Sequence, residues 1–157
     1  MSVWTQKARF KPGRTQTELS ANKECIEGIE CMVPCMPSPE SPDYKPDDPE
    51  YQALRAQASS TLEAFSQFLS TSATIELGWE VSNVFFALRE HGEKAGLLSP
   101  PLIRAMSGYL DAYKKARGEL PWYLERKEEW IRTLYRNLKP DDSGQVCSFL
   151  FYSARKV

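Results

Sequence analysis

Three of the four cysteines crowd into one short stretch, Cys25-x5-Cys31-x3-Cys35, while Cys147 stands far from them. Clustered thiolates are what a structural zinc ion or an iron–sulfur cluster requires, and zinc sites usually take two tight pairs of Cys or His. Here a fourth ligand would have to come from Cys147 or from His91, the single histidine. The spacing therefore makes Cys25, Cys31 and Cys35 weak metal candidates, and no metal or other cofactor is expected.

One histidine removes every mechanism that needs two. His91 lies beside Glu90 and Glu93 at the end of an apolar stripe, a place that suits a residue favoured at the negative end of a helix. The carboxylate pairs Glu76/Glu80 and Glu125/Glu129 fall on one helical face at four-residue spacing, and such pairs in charged helices face solvent. Glu128 and Arg132 have the orientation that supports a helix by about 0.2–0.5 kcal/mol. No helix carries the Glu-x-x-His pairs of di-iron bundles. The eight glycines are dispersed rather than gathered into a phosphate-binding loop. An enzyme is not expected.

The remaining chemistry is aromatic and cationic. Trp4 and Phe10 interleave with Lys7, Arg9, Lys11 and Arg14, so residues 1–14 carry a net charge of +4 with no acid. Residues 15–50 sum to −7 and the rest to +2, for a total of −1, which excludes a globally basic nucleic-acid binder. Such an arm has two uses. Its rings can stack on bases while its cations meet phosphates, or they can anchor in a protein pocket while the cations steer the encounter. Trp122 and Trp130 are further anchor candidates on a helical face, because Trp is enriched among the residues that dominate interface energy. The sequence thus reads as a non-enzymatic protein-binding subunit or accessory factor. It would dock through its helical bundle and arm into a larger assembly, or onto a target it inhibits, as a viral or phage-encoded protein does. The alternative is a nucleic-acid-associated protein using the basic arm.

The elements that would position these residues fall into two parts, an N-terminal arm and Pro-rich connector over 1–47 and a helical domain with a C-terminal strand over 48–157. Short extended candidates at Val3–Phe10 and Ile26–Val33 flank the turn signal Lys11-Pro12-Gly13. Six of the 11 prolines then crowd into Pro34–Pro49, which predicts polyproline-like extension there.

Asp48-Pro49 opens the helical part with a good N-cap and a proline suited to the first helical position. Tyr51, Leu54, Ala58, Leu62, Phe65 and Leu69 form one stripe, broken at Ser70-Thr71-Ser72. A second stripe follows in Leu77, Val81, Val84, Phe85 and Leu88, and Trp79 and Phe86 widen it so far that a central helix is expected. Ser99-Pro100 starts a third helix with Leu102, Ile103, Met106, Leu110 and Tyr113 inward, ended by Gly118. A fourth runs from Pro121 to Pro140 with Leu124, Ile131, Tyr135 and Leu138 on one face. Gln145–Val157 has strand composition.

The predicted fold is mainly α, a four-helix bundle or helical array with an extended Pro-rich N-terminal segment and a small terminal β element. Residues 48–139 are expected to fold without the first 45. Apolar residues at 41% and charged residues at 26% are those of an ordinary globular chain. No apolar run approaches the roughly 18 residues of a membrane span and no signal-peptide core is present. A cytoplasmic protein, or one in an intracellular assembly or virion and not secreted, is expected, with no membrane partner.

Overall fold

The computed structural model describes residues 9–42 and 44–138, and among these five α-helices form and no strand. They are α1 Gln16–Met32, α2 Pro49–Leu69, α3 Gly78–Ala87, α4 Pro100–Arg117 and α5 Trp122–Arg136. The capping chemistry read from the sequence starts two of them. The Asp48 carboxylate accepts from the Glu50 amide at 3.2 Å, and the Ser99 hydroxyl accepts from Leu102 at 3.4 Å. Gly118, at φ +89°, ends α4 in a conformation that costs a residue without a Cβ little. The expected strand at residues 145–157 lies outside the described residues, as do residues 3–8 of the first extended candidate.

The N-terminal segment departs from the expectation. Ile26–Val33 is not extended: it forms the second half of α1 and enters the 3₁₀ turn Val33–Cys35. The cause is a capping box. Thr15 Oγ1 accepts from the Glu18 amide at 3.1 Å, and the Glu18 carboxylate accepts from the amides of Thr15 and Arg14 at 3.0 and 2.8 Å. The backbone hydrogen bonds hold the Glu18 carboxyl below its usual range. From that start Asn22, Ile26, Ile29 and Val33 recur at four- and three-residue steps along the buried face.

The Pro-rich stretch is likewise turned rather than extended. Backbone bonds close four successive turns, Met36 to Val33, Ser41 to Ser38, Tyr44 to Ser41 and Asp48 to Lys45. In each the second position is a proline, Pro34, Pro39, Pro42 or Pro46, and Ser38 and Ser41 occupy first positions. Proline presets the φ that this position needs, and serine favours the first. The strap so formed is tied to α2, with Tyr44 edge-on to Tyr51 at 5.6 Å and Gln52 Nε2 donating to the Pro46 carbonyl at 3.2 Å.

Neighbouring helices pack in the order α1, α2, α4, α5, α3 and back to α1, a closed ring of five. Its interior is one apolar cluster, with Ile26, Ile29 and Met32 from α1 as buried as Phe65 of α2, Phe85 of α3, Leu110 of α4 and Leu124 of α5. Helix α1 is therefore part of the core it was expected to precede. Tyr109 crosses this interior and donates its hydroxyl to the Thr74 carbonyl at 3.1 Å, and burial pushes its phenol far above the usual range. Among the described residues no helix is long and apolar enough to cross a membrane.

Candidate docking surface

Helix α3 carries apolar residues almost all round, and the ring offers walls for only part of that circumference. Val81, Val84 and Phe85 face inward and are fully buried. Trp79 and Phe86, seven residues or two turns apart, share the other face and keep 49% and 55% of their surface exposed. Helix α5 is the adjoining wall. Only Leu124 and Ile131 are buried on it, and Trp122 at its first position is 60% exposed.

Where the two helices meet, their aromatic residues form a cluster. Trp79 and Tyr123 lie edge to face at 5.1 Å, Trp79 and Trp122 at 6.2 Å, and Trp122 and Tyr123 at 5.6 Å. Edge-to-face contacts at these separations are favourable for rings with negative faces and positive edges, so the cluster holds its own shape. Cations rim it at one-turn spacing from the rings. Arg126 stands 5.4 Å from the Trp122 ring and Lys127 Nζ 5.7 Å from Phe86. Lys127 Nζ also donates to the Tyr123 carbonyl at 3.1 Å. Its burial, followed by the neighbouring charges of Arg126 and Arg89, holds the ammonium below the usual lysine range. Burial also raises the Tyr123 phenol, with Tyr113 as the next cause.

The supports of this surface are polar and lie behind it. Arg132 Nη1 donates to Ser107 Oγ at 2.7 Å, while Nη2 donates to Asp111 at 2.7 Å and to Glu128 at 3.3 Å. Lys114 meets the same Glu128 at 2.8 Å. These bonds fasten α5 to α4 and leave its first two turns beside α3. Glu80 pairs with Lys23 at 3.7 Å and ties α3 to α1.

The residues expected from sequence are divided by the fold. Trp122 belongs to the exposed cluster. Trp130 is half-buried, packed against the core, and its buried indole N–H has no partner among the described residues. Phe10 is not free: its ring stacks on Phe68 at 4.2 Å and 13°, with Phe65 at 6.4 Å. The backbone beside it is pinned, because Lys11 N donates to Asn22 Oδ1 at 2.7 Å and Asn22 Nδ2 returns a bond to the Lys11 carbonyl at 3.0 Å. Gly13, at φ +81°, runs so close to the Ser72–Leu77 turn that a Cβ there would meet Ala73 Cβ at 2.7 Å. Arg9, Lys11 and Arg14 are exposed. Trp4 and Lys7 lie outside the described residues.

Trp79, Phe86 and Tyr123 were not read as site residues. The signal that finds Trp79 and Phe86 is the excess apolar circumference of α3, more than a helix in a single ring can bury; Tyr123 stands beside Trp122 in sequence and gave no separate signal. Cys25 donates to the Arg9 carbonyl at 3.2 Å, Cys35 donates to the Cys31 carbonyl at 3.3 Å, and Cys31 and Cys35 are exposed. Among the described residues no three His, Cys, Asp or Glu side chains are gathered to hold a metal ion. No known protein family, characterised protein or solved structure matches this chain.

Proposed function

We propose that this protein is a non-enzymatic binding subunit or accessory factor. It docks onto another protein through the α3/α5 face built by Trp79, Phe86, Trp122 and Tyr123. The carrying observation is that three of the four exposed large hydrophobic residues among those described, Trp79, Phe86 and Trp122, lie in this one patch. Apolar area left in water forfeits about 25 cal/mol per Å², and pre-shaped Trp and Tyr clusters are what interface hot spots are made of. The rim commits the partner's chemistry. Arg126 and Lys127 carry positive charge at the edge of the rings, which suits a segment presenting apolar side chains flanked by carboxylates. The partner is either a scaffold that receives the subunit inside a cell or virion, or a target that it inhibits.

Affinity purification from the native host with nuclease treatment tests this. A discrete protein complex that survives nuclease and is lost from a Trp79→Ala/Trp122→Ala variant is the expected result. A complex that survives the double substitution, or dissolves with nuclease, would falsify the assignment. Nuclease release would favour nucleic-acid association through the exposed cations Arg9, Lys11 and Arg14, although Phe10 is already stacked within the protein.

A further inference from the structure

Cys31 and Cys35 stand one helical turn apart at the junction where α1 gives way to the Val33–Cys35 turn. Both are exposed, and the Cys35 sulfur lies 3.3 Å from the Cys31 carbonyl oxygen, so it reaches back over the turn that carries its neighbour. Their surroundings are asymmetric. Met32, Val33 and Met36, which alternate with them, are buried in the core, whereas the two thiols contribute nothing to it. Cys25 is set apart, half-buried and donating to the Arg9 carbonyl.

We propose that Cys31 and Cys35 form a reversible dithiol–disulfide couple whose closed form loosens the last turn of α1. One thiolate attacks a sulfur of a small-molecule disulfide such as oxidised glutathione. The S–S bond breaks, a mixed disulfide forms, and one glutathione thiolate leaves. The second cysteine thiolate then attacks the cysteine sulfur of that mixed disulfide, forms the Cys31–Cys35 bond and expels the second glutathione. Two protein thiols lose two electrons, oxidised glutathione gains them, and both protons end on the glutathione thiols. The second step is intramolecular and across one turn, so it outruns capture of another glutathione.

Closure has a structural consequence. Side chains four apart on a helix hold their Cβ atoms about 5–6 Å apart, whereas a disulfide needs roughly 3.5–4.5 Å. The turn must shift to close the bond, and the residues that move with it are Met32, Val33 and Met36. Cys35 also lines a cleft of about 440 Å³ with Pro37, Glu90 and His91, so the shift is passed to the strap and to the Leu88–Gly92 turn that follows α3. A bond closed against helical geometry is readily reopened by thiols.

The full-length protein, reduced and desalted, is treated with oxidised glutathione, alkylated, cleaved after glutamates and weighed. The peptide spanning residues 31–40 is expected to lose two hydrogens and carry no glutathione, while Cys25 remains alkylated, and excess reduced glutathione reverses the change. Cys31→Ser and Cys35→Ser, each a substitution at an exposed site, are expected to trap glutathione stably on the remaining cysteine. The oxidised protein is expected to melt at a lower temperature than the reduced one. The proposal is overturned by two retained glutathiones on residues 31–40, or by pairing of either thiol with Cys25 or Cys147. Single variants that shed glutathione as fast as the parent, or an unchanged melting temperature after closure, also overturn it.

Discussion

Phe10 and Trp122 are both aromatic rings with arginine and lysine close in sequence, and the fold treats them oppositely. Phe10 lies flat on Phe68 at 4.2 Å, with its neighbouring backbone bonded to the buried Asn22. Trp122 meets Trp79 and Tyr123 and is otherwise exposed among the described residues, with Arg126 over its face. The difference is in the number of walls. The segment around Phe10 crosses the side of the ring where α1 and α2 meet the Ser72–Leu77 turn, and three elements enclose it. The patch around Trp122 has α3 on one side, α5 on the other, and nothing above among the described residues. Aromatic residues mixed with cations therefore describe either a packed strap or an exposed surface cluster, and enclosure decides which.

The largest expected effect breaks the arm side outright. Deleting residues 1–32 removes Ile26, Ile29 and Met32, each buried to within about 1% of its surface. Large-to-small changes at single such sites cost about 2–5 kcal/mol, so losing all of them exceeds much of the 5–15 kcal/mol that holds a typical domain. Circular dichroism on heating should show no cooperative transition in the remaining chain. A truncated protein that still melts cooperatively would show that the ring closes without α1.

Next in size is the direct contrast. Phe10→Ala should lower stability by about 1–3 kcal/mol through loss of a half-buried ring, with partner affinity unchanged. Trp122→Ala should cost at least about 2 kcal/mol of binding and leave stability within about 0.5 kcal/mol, the usual range for exposed positions. Urea titration and a binding isotherm, measured on both variants, check the pair. If Trp122→Ala unfolds the protein as readily as Phe10→Ala does, the α3/α5 rings are structural and the contrast fails.

Two further effects, one of similar size and one smaller, sharpen the arm side. Asn22→Ala leaves the Lys11 amide and carbonyl without their partners and should cost about 1–3 kcal/mol, accompanied by faster amide exchange at Lys11. Thr15→Ala removes one half of the α1 capping box and should cost about 1 kcal/mol, seen as a lower urea midpoint with an unchanged slope. The smallest change in stability belongs to the patch. Arg126→Gln/Lys127→Gln should leave the melting temperature nearly where it is, yet slow association and flatten its salt dependence in stopped-flow measurements. Undiminished salt dependence would place the steering charges elsewhere.

Much of the helical framework was legible because its signals are local. Asp48 and Ser99 cap where N-caps should stand, Gly118 stops α4, and Leu102, Ile103, Met106, Leu110 and Tyr113 are all buried as their spacing predicts. Helix α1 was not, although Thr15 and Glu18 spell a capping box. Its buried face includes Asn22 and Gly28, which break the apolar stripe. Asn22 can be buried only because the Lys11 backbone, 11 residues away, satisfies its amide. The cysteines drew attention to ligand spacing at the very place where helical spacing mattered. The prolines of the strap were read as extension, yet each one at the second position of a turn obeys the same φ restriction.

By itself the sequence determined where helices α2, α4 and α5 begin and which stripe α2, α3 and α4 turn inward, since capping, proline placement and 3.6-residue periodicity act over a few neighbours. On α5 the same periodicity grouped Tyr135 with Leu124 and Ile131, yet Tyr135 is exposed. It also determined that α3 carries more apolar surface than one stripe. Only the tertiary structure decided which part of that surface is covered. Burial depends on what stands opposite, and the closing of α1 against α3 on one side and α5 on the other leaves Trp79 and Phe86 outside the ring. The same closure turned Phe10 inward and Trp122 outward, because the walls that enclose a side chain come from residues that periodicity cannot see.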